Sequence, residues 1–171
     1  MKISRILKLV FITLVIFFLF TLILPVVLEV IRQSNLNQCV SNLKQIGAAA
    51  ETYRKQFGAF PAERGEAWHV KLIDTVCGKD NSFFQCPMEG TWSKTGSDYR
   101  GPAKDLNVSA DYPRITLPIA ADKCPGGRTQ HFSENNKYGV SALTKEYQVV
   151  ILQASDARWE IFGPESPYLK D

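Results

Sequence analysis

The chain has 171 residues, 45% of them hydrophobic, with a formal net charge of +3, four cysteines and two histidines. Lys2, Arg5 and Lys8 supply the whole excess, leaving 17 basic and 17 acidic side chains from residue 9 onward. That balance excludes the clustered positive face that nucleic acid demands, and the length leaves room for one domain beside a membrane segment.

Leu9 to Leu28 is a run of Leu, Val, Ile and Phe interrupted only by Thr13, Thr21 and Pro25, which matches the length of a bilayer-crossing helix. Its seventeen apolar side chains together favour insertion by about 7 kcal/mol, with no charge opposing them. Basic residues precede the run while Glu29 and Arg32 cancel behind it, so the expected orientation is N-terminus in the cytoplasm and the remaining chain outside. A cleaved signal peptide has a shorter apolar region and a small-x-small exit, and neither is found here. A lipoprotein is excluded too, because Cys39 stands ten residues beyond the membrane. The expected organisation is a basic cytoplasmic end over 1–8, a transmembrane helix over 9–31, its extracytoplasmic continuation over 32–60 and an α+β head over 61–171.

From Leu36 the apolar positions Cys39, Val40, Leu43, Ile46, Gly47, Ala50, Tyr53 and Phe57 repeat every three or four residues, the face of a helix that Gly58 and Pro61 then end. If Pro25 only kinks it, anchor and helix form one rod of roughly 70 Å at 1.5 Å per residue. Gly47, Ala48 and Ala50 make one band thin, expected to receive the sheet. Glu66 to Val76 reads as a short amphipathic helix carrying Trp68, Leu72, Ile73 and Val76, with His69 on its flank. Phe83 to Gln85 and Ile115 to Ala120 read as strands, the second at an edge because Pro118 cannot donate to a ladder. Tyr147 to Gln153 and Arg158 to Phe162 read as a terminal hairpin. Two long loops, Met88 to Arg114 and Asp122 to Lys145, lie between.

Cys39, Cys77, Cys86 and Cys124 all lie beyond the apolar run, where oxidising conditions permit pairing. Sequence leaves three connectivities open. Proximity makes Cys77 with Cys86 the first expectation, which leaves Cys39 with Cys124.

The stretch Cys39-Val-Ser-Asn-Leu-Lys-Gln-Ile-Gly-Ala-Ala-Ala-Glu-Thr-Tyr53, closing at Gly58-Ala-Phe-Pro61, resembles the helix end of type II secretion pseudopilins and type IV pilin-like proteins of the planctomycete type. Phe84-Gln-Cys-Pro87 is similar to that group's Phe-x-Cys-Pro element. Asp122, Ser133-Glu-Asn-Asn136 and Val150 to Trp159 follow the order of its C-terminal elements. The resemblance implies a pilin-like fold, a long membrane-inserted helix on a small antiparallel sheet with long loops, and other secretion-system subunits as partners. The group's peptidase motif is missing. Counting back from Pro25 puts Ile3 at its cleavage glycine and Lys8 at its glutamate, and a lysine there repels the neighbouring amine that the glutamate serves.

No Gly-x-Ser-x-Gly, Walker loop or His-Glu-x-x-His is present, and two histidines, His69 and His131, provide little for acid–base work. A thiol–disulfide enzyme has no Cys-x-x-Cys to use, and no zinc spacing occurs. The oxygen-rich set Asp122, Glu134, Asn135 and Asn136 is the candidate for calcium, as in the resembling group, against a solvated loop as the plainer account. Trp92, Tyr99, Tyr112, Trp159 and Tyr168 read as core and turn anchors. The expectation is a non-enzymatic pseudopilin-like protein without a cofactor, single-pass in the inner membrane with its head in the periplasm. The alternative is a membrane-anchored binding module that uses its two long loops.

Overall fold

The computed structural model describes residues 2–78, 81–87, 97–122, 139–153, 155–163 and 165–170. Two compact units emerge, Met1–Asn35 and Leu36–Asp171. Helix α1, Lys2–Phe57, contributes to both and continues through Pro25.

Within the first unit, every side chain from Lys8 to Ile31 is exposed. This part of α1 is long and apolar enough to cross a membrane. Its two hydroxyls are satisfied internally: Thr13 Oγ1 donates to the Leu9 carbonyl at 2.9 Å and Thr21 Oγ1 to the Phe18 carbonyl at 2.8 Å. From Leu9 to Leu28 only hydrocarbon is left facing outward, which suits a solvent without hydrogen-bonding groups.

The second unit, the head, is α+β. From Leu36 onward α1 turns one face inward, burying Leu36, Cys39, Leu43, Ile46, Ala50 and Tyr53. Gly58, with φ of 78°, ends the helix and donates to the Arg54 carbonyl at 2.8 Å, in the left-handed conformation that glycine adopts at no cost. Helix α2, Glu66–Leu72, follows and passes into a π-helical turn, Ile73–Cys77, that stops at Gly78. The helix expected over 66–76 is thus divided in two.

Five strands form one antiparallel sheet: β1 Tyr99–Pro102, β2 Pro118–Asp122, β3 Gly139–Thr144, β4 Val149–Gln153 and β5 Leu169–Lys170, in the order β4-β3-β2-β1-β5. Three expectations change here. Residues 82–84 form a 3₁₀ turn instead of a strand. Strand β2 is central, not an edge: Pro118 is its first residue and adjoins a register shift, two places where a ladder tolerates a missing N–H. Arg158 to Phe162 is no strand, since Trp159–Phe162 forms a short helix, α3, and β4 pairs with β3.

The sheet separates two apolar clusters. Leu43, Ile46, Trp68, Leu72, Phe84, Tyr99, Ile119 and Leu143 join α1 and α2 to one face, while Ala121, Val140, Ala142, Leu152, Phe162 and Leu169 form the other with α3. The thin band of α1 meets this sheet directly: a Cβ on Gly47 would lie 3.3 Å from Leu143 Cδ1 and 3.5 Å from the Tyr147 ring. Ala50 is buried beside it, and Ala48 is exposed.

Candidate functional site

On the helix-facing side of the sheet, the head buries a group of polar side chains. Cys39 belongs to the inward stripe of α1 and is fully buried. Cys86 follows the 3₁₀ turn Ser82–Phe84, in a segment secured from two directions. From α1, Asn42 Nδ2 donates to the Gln85 carbonyl at 2.8 Å, and Gln38 Nε2 orients that amide by donating to Asn42 Oδ1 at 2.9 Å. From the approach to β1, the Asp98 N–H donates to the Phe84 carbonyl at 2.8 Å and Asp98 Oδ2 accepts the Cys86 N–H at 2.9 Å. These bonds fix a short irregular stretch that has no ladder of its own.

The result is contact between Cys39 Sγ and Cys86 Sγ at 3.2 Å. Asp122, at the end of β2, completes the group, the ligand atoms of all three side chains lying within 4.8 Å of one another. Its Oδ2 accepts the Ser141 N–H at 2.9 Å, a charge-assisted bond that helps to hold a carboxylate out of water. Tyr99, opposite Asp122 in the β1–β2 register, closes the group. Burial pushes the Tyr99 phenol far above its ordinary value, and Cys39, Asp122 and Cys86 push it the same way. The cluster therefore keeps Tyr99 protonated.

The neighbouring histidine is part of the packing. His69 is buried with its ring 5.1 Å from Trp68 and 5.4 Å from Phe84, edge-on to both. Arg100, beside Tyr99 but on the other face of the strand, donates to the carbonyls of Asp122 at 3.2 Å and Gly163 at 2.9 Å. It ties β1 and β2 to the end of α3.

Among the described residues of the head, two hollows stand near these groups and near the sheet. One, of about 240 Å³, is lined by Gln38, Asn42, Gln45, Phe83, Gln85 and Cys86, so the thiol pair forms part of its wall. The other, of about 250 Å³, lies over β3 and β4 between Arg114, Glu146, Gln148 and Arg158.

The expected sites are distributed unevenly. Cys39 and Cys86 come together, which displaces the expectation that Cys86 would face Cys77; Cys77 ends the π-helical turn, half-buried. Asp122 is fully buried and grouped with two sulfur atoms. Glu134, Asn135, Asn136, Cys124, His131 and Trp92 lie outside the described residues. Among the aromatic anchors, Tyr112 is buried and its hydroxyl donates to the Tyr168 carbonyl at 2.8 Å. Asn42 and Asp98, which position Cys86, were legible only as a polar helix residue and a loop acid.

No protein-family model, curated protein or solved structure matches this chain. The functional reading rests on its own residues.

Proposed function

We propose that the chain is a non-enzymatic, pseudopilin-like membrane subunit, belonging to or derived from a type II secretion or type IV pilus-like system. It sits single-pass in the inner membrane with its head in the periplasm. The observation that carries this reading is the division of labour within α1. One helix presents an exposed, uncharged apolar run from Leu9 to Leu28, and from Leu36 it supplies the core stripe of a small antiparallel head. A helix that is apolar on every side, with its hydroxyls bonded to its own backbone, is built for lipid or for other helices in lipid.

The orientation follows from Lys2, Arg5 and Lys8, placed before the apolar run. Partners are the bilayer and other pseudopilin-like or secretion-system subunits, engaged by lateral helix packing and head contacts. In lipid such packing depends on van der Waals fit. Ile3 and Lys8, standing where a processed pseudopilin has glycine and glutamate, support an uncut relative that caps or regulates a fibre, or that has left the fibre system.

A photo-crosslinking side chain at the exposed position 48, in the full-length membrane-inserted chain, tests the assembly. The expected product joins position 48 to a second helix of the same kind, in this chain or in a related subunit. A chain crosslinked to nothing but lipid or solvent, at every expression level tried, contradicts the assembly.

A further inference from the structure

We propose that Cys39 and Cys86 form a disulfide that staples the core helix of the head to the 82–87 segment. The inference rests on the periplasmic placement proposed above, because cytosolic thiols are kept reduced. The two sulfur atoms already touch at 3.2 Å, and both side chains are at least 96% buried. Closing to the bonding distance of about 2 Å is a shift of about 1 Å between the sulfurs. A zinc ion shared by two thiolates, at about 2.3 Å from each, would hold the sulfurs about 3.8 Å apart. The pair stands closer than that, which favours a bond over a shared ion.

The hydrogen bonds around Cys86 support the same conclusion. Asn42 and Asp98 fix its backbone from opposite sides, so the thiol is aimed at Cys39 before any bond exists. The bond would join residues 47 apart, closing a long loop in a head of limited core.

The chemistry balances. A thiolate from one cysteine attacks a disulfide of an external thiol oxidant, and the resulting mixed disulfide is displaced by the second cysteine. The pair loses two electrons and two protons, and the oxidant becomes a dithiol. Burial of both sulfurs places this exchange before the 82–87 segment docks on α1. Once docked, the bond is shielded from reductant.

The test is trypsin mapping of the full-length chain, isolated from membranes, with thiols trapped by alkylation in denaturant and without reduction. Trypsin sites place each cysteine on its own peptide: Cys77 on 72–79, Cys124 on 124–128, Cys39 on 33–44 and Cys86 on 80–94. The expected result is peptide 33–44 linked to 80–94, with a thiol reductant acting only after denaturant is added. Cys86→Ser should lower Tm by about 10 °C or more. Peptide 80–94 linked to 72–79 or 124–128 overturns the pairing. So does recovery of Cys39 and Cys86 as alkylated thiols, whether or not zinc co-purifies. Where protease added to intact spheroplasts shows the head outside, alkylated thiols overturn the staple alone. Where the head is protected, they overturn the staple and the topology together.

Discussion

Gly101 has almost no room for a side chain. A Cβ there would overlap the Gly65 carbonyl oxygen, in a place where the Gly65 N–H donates to the Pro102 carbonyl at 2.9 Å. Gly65 itself has φ of 59°, so neither backbone yields easily. Gly101→Ala is therefore expected to destabilise the head by about 2 to 4 kcal/mol, read as a shift in denaturant midpoint without a change in slope. Tyr99 contributes to the alkaline limit. Its folded-state pKa is raised, first by burial and then by the charge of Asp122, so it stays neutral where an unfolded tyrosine ionises. A raised pKa gives stability that is complete below the unfolded value near 10 and is lost as pH rises above it. The head should lose stability as pH rises above 10, and Tyr99→Phe should move its alkaline unfolding to higher pH. A Tyr99→Phe chain that unfolds at the same alkaline pH as the parent would contradict the placement of Tyr99.

At the scale of elements, α1 was the most legible part, because both of its signals are strong and independent: an unbroken apolar run, then a three-and-four stripe closed by Gly58. Leu43 lies at the centre of that stripe and is fully buried. Leu43→Ala should cost about 2 to 5 kcal/mol, measured by thermal or denaturant unfolding of the full chain in detergent. The strands were read less well, for physical reasons. In β3 the residues Val140, Ser141, Ala142, Leu143 and Thr144 are all buried, so no polar–apolar alternation marks a strand covered on both faces. Strand β1 contains Gly101 and Pro102, which read as loop, and β5 has only two residues. The Trp159–Phe162 segment looks strand-like by alternation, but Asp156 decides it locally. Its Oδ1 accepts the Arg158 N–H at 2.9 Å, its carbonyl accepts the Trp159 N–H at 3.0 Å, and the turn becomes helical. Arg158 also donates to the Asp156 carboxylate, holding its pKa down to about 2. The candidate site follows the same division. Cys39 was visible on its helix face, whereas its contact with Cys86 depends on a backbone path fixed by Asn42 and Asp98.

For the whole molecule, the two units divide the demands of two solvents. The apolar stretch of α1 has no polar group left to satisfy, and in the head hydrogen bonds from Asn42, Asp98 and the Ser141 N–H position a thiol–carboxylate cluster. On the proposed function, the net charge gathered at Lys2, Arg5 and Lys8 gives this arrangement its direction across a bilayer. A C-terminal epitope tag followed in spheroplasts, with protease added before and after lysis, tests that arrangement most directly. The account predicts a tagged chain that sediments with membranes, resists extraction at high pH and loses its tag to protease before lysis. A chain recovered in the soluble fraction, or a tag that survives until the cells are opened, would contradict it.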